Sequence, residues 1–175
     1  MEVTFGASNF VPRDASLKKS PRRTEIPSGD MVFFDNWRGL SPLPSALEIR
    51  SRIQSNDIIE VLRNQTKMET HEVGFRFVDL NLVVKSGVTV TIAEGQALWL
   101  MRHYTDVRVP EVYGWIVDSG QTFIYMEYIE GVTVSSRWPS LTASEKSIVV
   151  AQLQQMLQSM RRLRQESDDV HIGKS

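Results

Sequence analysis

The stretch "VPEVYGWIVDSGQTFIYMEY", Val109 to Tyr128, constrains the fold most. Both arms are dense in Val, Ile, Tyr, Phe and Trp, side chains that suit a pleated, half-buried surface. Asp118–Ser119–Gly120 supplies turn residues between them, so the stretch predicts a β-hairpin. A lone hairpin is marginal in water, so it needs further strands or a helix to pack against. "HEVGFRFV" offers one strand: Val73, Phe75 and Phe77 fall on one face, Glu72, Gly74 and Arg76 on the other. Asp79 to Asn81 turns the chain, and "LVVKSG" returns it as a second hairpin. Between the hairpins, "TIAEGQALWLMRHY" reads as a helix. Thr91 and Glu94 form the T-x-x-E pattern of a capping box, and Ala97, Leu98, Met101 and Tyr104 supply its buried side. Hairpin, helix, hairpin is the order of an antiparallel sheet with one helix packed on it, an α+β layer arrangement.

The flanks read as helical. "PSALEIRSRIQSNDIIEVLRNQ" carries Leu47, Ile49, Ile53, Ile58, Ile59 and Leu62 at helix-compatible spacings, with Ser55–Asn56–Asp57 placed to cap a second helix. Phe33, Phe34 and Trp37, just before it, need a surface to cover. Past the sheet, Thr142 to Glu145 forms a second capping box. It opens a long helix with Val149, Leu153, Met156, Leu157, Met160 and Leu163 at helical spacing. The expected organisation is a disordered basic tail over 1–30, a helical lead-in over 31–67, the sheet and its helix over 68–130, and a linker with one long helix over 131–175. Lys18, Lys19, Arg22 and Arg23 in the tail read as a localisation or anion-binding run, or as a solvated leader with little to bury.

Composition narrows the function classes. At 175 residues the chain fits one domain of ordinary size. It has no cysteine, which excludes disulfides, thiolate metal sites and a cysteine nucleophile. A net charge of −1 gives no global pull toward nucleic acid. The local "RRLR" run, Arg161 to Arg164, sits near a helix C-terminus, where cations are favoured anyway. No apolar run approaches the roughly 20 residues of a membrane helix, and the first residues lack the order of a secretory signal. The expectation is a soluble cytoplasmic protein with neither a nucleic-acid nor a membrane partner.

Three features carry chemistry. Lys85 ends the apolar run "LNLVVK": it points into a cleft and meets phosphate oxygens, or it reaches water on its long stem. Glu94 pairs with Lys85, or it closes the capping box with Thr91. In "YMEYIEG", Met126 is bulky and apolar, and the strand then breaks at Glu127, Glu130 and Gly131. Either this is a plain edge strand, or the Glu127 C=O and the Ile129 N–H are freed from the sheet and need partners. A purine edge offers one donor and one acceptor in the right order.

Taken together, "LVVK", "AEGQALWLM", "VPEVYGW" and "FIYMEYIEG" resemble, over about 70–165, the small lobe of the protein-kinase-like fold, in the aminoglycoside phosphotransferase and choline kinase branch common in filamentous fungi. The resemblance implies that Lys85 holds the α- and β-phosphates of ATP and that Glu94 pairs with it. It implies that Met126 is the gatekeeper of the base slot and that Glu127 and Ile129 hydrogen-bond adenine through their backbone, so Glu127→Ala should matter little. Glu130 and Gly131 would then begin the linker to a large lobe, and Leu141 to Gln165 would form that lobe's first long helix.

Two departures qualify it. The phosphate-covering loop of the family is glycine-rich, whereas "THEVGFRFVDLN" has only Gly74. The family's catalytic loop and metal-binding aspartate follow the long helix, and "DDVHIGKS" does not match them, so Asp168, Asp169 and His171 take no catalytic role. His71 and His103 read as surface or strand-end residues. The resemblance thus implies the ATP-binding portion of a small-molecule kinase with a truncated large lobe. Magnesium and an unidentified small-molecule acceptor would belong to an intact enzyme. The alternative is a non-catalytic module that binds nucleotide, or a protein partner along the 143–165 helix.

Overall fold

The computed structural model describes residues 21–39, 41–55, 59–62 and 72–163. Its centre is a six-stranded antiparallel sheet built from β1 (Met31–Phe33), β2 (Ile59–Leu62), β3 (Glu72–Phe77), β4 (Leu82–Gly87), β5 (Val112–Asp118) and β6 (Gln121–Glu127), in the order β1-β5-β6-β4-β3-β2. Four α-helices accompany it: α1 (Ala46–Ser55), α2 (Ile92–Tyr104), α3 (Val134–Arg137) and α4 (Ala143–Arg161). The chain is therefore α+β. Among the described residues no helix is long and apolar enough to cross a membrane.

Both expected hairpins form. β3 and β4 pair from Glu72↔Gly87 to Phe77↔Leu82, across a 3₁₀ turn at Val78–Leu80 that Asn81 ends in left-handed geometry. β5 and β6 close on Ser119–Gly120, whose positive φ values of 51° and 73° are those of a type I′ turn, the one whose twist matches the strands.

The alternation of β4 and β6 divides the sheet into two apolar faces. Phe77, Leu82, Val84, Phe123 and Tyr125 point one way and are covered by Ala46 and Ile49 of α1. Val112, Trp115 and Ile124 point the other way, with Ile92 and Leu98 of α2 against them. Arg50 and Arg52 of α1 reach Asp118 and Asp79. Such part-exposed pairs contribute about 0–1 kcal/mol each. Removing a fully buried side chain such as Ile49 costs about 2–5 kcal/mol, so apolar packing holds α1 in place.

Three expectations are corrected. The lead-in is not all helix: Met31–Phe33 is an edge strand on β5, and Ile59–Leu62 is a strand, not part of a second helix. Ile59 and Val61 suit a strand as well as a helix, and the open edge of β3 supplies main-chain partners that outweigh a short helical stripe. The proposed cap at Asn56 and Asp57 lies outside the described residues. Residues 21–30 are not a free tail: the carbonyls of Pro27, Gly29 and Asp30 accept from Gln96 Nε2, Trp115 Nε1 and the Val117 N–H. Residues 1–20 lie outside the described residues. Residues 72–77, expected as a strand and placed by the resemblance in the phosphate-covering segment, form strand β3, paired along most of its length on both sides. The β2–β3 connection, 63–71, which includes His71, is outside the described residues, as are Asp168, Asp169 and His171. Ala97 is exposed, not buried; Leu98 packs on the sheet as expected, with Ile92, and Gly95 is the residue of α2 that is buried there.

The helix α4 forms with the full reciprocal capping box of Thr142 and Glu145. Hydrogen bonds from Thr142 hold the Glu145 carboxyl below its ordinary value. No residue of α4 is buried.

Candidate functional site

Strand alternation sends Lys85 to the α2 face. It stands opposite Ile124, and Val83 stands opposite Met126. Residues directly opposite share a face, so Lys85, Val83, Ile124 and Met126 lie together. The Lys85 Nζ donates to Glu94 Oε1 at 2.5 Å. Glu94 could have capped its own helix, but Thr91 makes no side-chain cap bond. With side chains 26% and 35% exposed, the pair adds little stability. Its effect is to orient the ammonium.

The approach of α2 makes that contact possible. A Cβ built on Gly95 would lie 2.8 Å from Trp115 Cε3, and Trp115 is fully buried. Glycine lets the helix backbone sit directly on the indole and brings the neighbouring Glu94 down to the sheet.

Met126 stands two residues further along the strand direction than Ile124, roughly 7 Å at the usual strand rise. β6 ends at Glu127. Beyond it, Arg76 of β3 lies over the Tyr128 ring, 3.7 Å from guanidinium carbon to centroid. Ile129 is 57% exposed, and Gly131 has a φ of +146°. The chain thus leaves the sheet after Glu127, one residue past Met126 and three past Ile124, the residue opposite Lys85. Lys85, Glu94 and Met126 are brought together, and Glu127 and Ile129 form the exit from that face.

The side chain of Glu127 has a partner that sequence reasoning did not give it. The Glu127 N–H donates to the Glu111 C=O at 2.8 Å, and the Glu111 N–H donates to Glu127 Oε2 at 3.0 Å. Glu111 in turn accepts from Asn36 Nδ2 at 3.1 Å and from Arg102 Nη2 at 3.4 Å. Burial pushes the nearby Tyr113 phenol above its ordinary value, the Glu127 and Glu111 charges push it further, and Arg102 opposes them. One signal for this cluster was present in the text: Arg102 follows Glu94 by eight positions (102 − 94), close to two helical turns. Glu111 and Asn36 had no such mark, because their meeting depends on β1 joining β5.

A shallow groove of about 210 Å³ opens near this cluster, between Phe34, Trp99 and Arg102. It is at the far end of α2 from Glu94 and smaller than the roughly 300–1,000 Å³ of small-molecule sites. His103, on its rim, stacks on Trp99 and contacts the Trp99 carbonyl. Among the described residues no group of three or more acidic or histidine side chains converges as a metal site.

The fold and this face define an α+β protein with an ion pair and a strand exit on one side of its sheet. No protein family, curated protein or solved structure matches the chain.

Proposed function

We propose that this chain is the ATP-binding portion of a small-molecule kinase of the aminoglycoside phosphotransferase and choline kinase type. The reading is carried by one observation: Lys85 is held at 2.5 Å by a helix glutamate, on the same sheet face as Met126, the residue just before β6 ends. Protein kinases present a phosphate-binding lysine from their third strand and pair it with a glutamate of the following helix. Lys85 stands on the third strand of the run β2 to β6, and Glu94 on the helix after it. In this reading Lys85 binds the α- and β-phosphates of ATP, Met126 borders the base slot, and the main chain of Glu127 and Ile129 meets the adenine edge. Transfer to an acceptor hydroxyl would also require a base aspartate, a metal-binding aspartate and magnesium. The resemblance puts those residues after the long helix.

Calorimetry of the chain with ATP tests this. We expect measurable binding that falls roughly 10- to 100-fold in Lys85→Ala, the size of a lost charge-assisted contact. Absence of ATP binding by the unaltered chain, or indifference to Lys85→Ala, overturns the reading.

A second reading is supported by α4, where Ile148, Leu153 and Leu157 are 55%, 48% and 48% exposed. In it, the chain is a non-catalytic module that docks a protein along this helix. Apolar area of that kind marks an interaction surface.

A further inference from the structure

We infer that the carboxylate of Glu127 is a positioning residue that keeps its own main-chain carbonyl open for the nucleotide base. This rests on the nucleotide-binding reading above. In a hydrogen-bonded pair, two opposite residues exchange both N–H···O=C bonds, so each residue directs its N–H and C=O to the same neighbour. Glu127 and Glu111 begin such a pair: the Glu127 N–H donates to the Glu111 C=O at 2.8 Å. The reciprocal bond would run from the Glu111 N–H to the Glu127 C=O. It is replaced by a bond from that N–H to Glu127 Oε2 at 3.0 Å. The side chain stands in for the main chain. Glu111 is satisfied, the end of β6 stays fastened to β5, and the Glu127 carbonyl is relieved of the donor that would have consumed it.

The consequence is chemical. A carbonyl at a strand exit, one residue past Met126, is an acceptor for an exocyclic amino group such as that of a 6-aminopurine. A ladder that closed normally would hide it. Glu111 is itself held, since Asn36 and Arg102 bond its carboxylate, so the N–H that Glu127 captures is fixed in space. The residue therefore acts through its own backbone, and an alanine there lets Glu111 close on the carbonyl.

The test compares three probes by calorimetry on the full chain: ATP, the purine riboside triphosphate that lacks the 6-amino group, and inorganic tripolyphosphate. Glu127→Ala, expected to matter little when only the backbone of Glu127 was given a role, should weaken ATP roughly tenfold, the scale of one hydrogen bond, because its carboxylate holds the Glu111 N–H. It should abolish the preference for ATP over the analogue lacking the amino group and leave tripolyphosphate within about twofold, a surface-change margin. Glu127→Gln keeps an acceptor oxygen and should restore both ATP affinity and the preference. Amide exchange at Glu111 should stay slow in both variants, because its N–H bonds the main-chain carbonyl in the alanine variant and the side-chain oxygen in the glutamine variant. Equal losses for ATP and tripolyphosphate, a glutamine variant as weak as alanine, or an alanine variant that still prefers ATP each overturn the proposal. If the unaltered chain binds no ATP, the nucleotide-binding reading falls and takes this inference with it. If it binds ATP and only the Glu127 variants are silent, this inference alone falls.

Discussion

Tyr125 carries its hydroxyl into the α1 face of the sheet, where it donates to the Pro44 carbonyl at 2.9 Å. Burial pushes its phenol well above the ordinary value, and the Glu48 and Asp118 charges add to the shift. A raised folded pKa means that the folded state holds its proton more tightly than the unfolded state. The associated stability is complete below the ordinary value of about 10 and is lost as pH climbs beyond it. Tyr104 and Tyr113 shift in the same direction and add to the loss. Tyr125→Phe strands the Pro44 carbonyl and should cost about 1–3 kcal/mol at neutral pH. The gap to the unaltered chain should narrow as pH rises past the ordinary phenol value, because the variant has no phenol there to ionise. Denaturant unfolding at neutral and alkaline pH reads both effects, and a gap that widens with pH would contradict the assignment. Residue roles of this sort were partly legible in the sequence. Lys85 and Glu94 stood out by type and position. Glu94 kept two roles open, because nothing in the text says whether a helix N-terminus faces a strand lysine. The side-chain partner of Glu127 was invisible, since it depends on β5 beginning at Val112 and leaving the Glu111 N–H just outside the ladder.

Elements were legible where local chemistry and long-range pairing agree. The type I′ turn at Ser119–Gly120 and the capping box at Thr142 are local signatures, and both formed. β1 and β2 were not legible, because a strand of three or four residues is defined by its neighbour more than by its own text. The contact of α2 with the sheet was misread for a related reason. Helical spacing placed Leu98 correctly but also counted Ala97, which is exposed, and missed Gly95, where the helix backbone comes closest to the sheet. That position yields a sharp expectation. On an exposed helix, glycine to alanine gains up to about 1 kcal/mol. Here the added methyl would meet Trp115 at 2.8 Å, and the indole, fully buried, has no room to yield. Overpacking of this kind typically costs about 1–3 kcal/mol. The clash outweighs the propensity, so Gly95→Ala should destabilise the chain and draw Glu94 away from Lys85. Denaturant midpoints measure the first effect, and a variant more stable than the parent would show that α2 does not sit on Trp115.

At the scale of the molecule, apolar burial is uneven along the chain. Two faces of one sheet are covered between Met31 and Glu127, and that region contains the whole buried core, from Ala46 to Tyr125. After the strand exit, neither α3 nor α4 contributes a buried residue. α4 touches the body at its far end, where the Asp106 N–H donates to Ser159 Oγ at 3.4 Å. The sequence marked Leu153 and Leu157 as one seam of a packed helix, and half of that reading holds: the stripe exists, but no described element covers it. Core stability and surface behaviour should therefore separate. Changing Leu153 and Leu157 together to lysine removes apolar area from water-facing positions and should shift unfolding by no more than about 0.5 kcal/mol per site. The same double change should abolish any concentration-dependent rise in mass, read by sedimentation, because the exposed stripe is the surface through which copies would meet. Destabilisation on the scale of a buried leucine, about 2–5 kcal/mol, would mean instead that α4 packs against the sheet domain in solution.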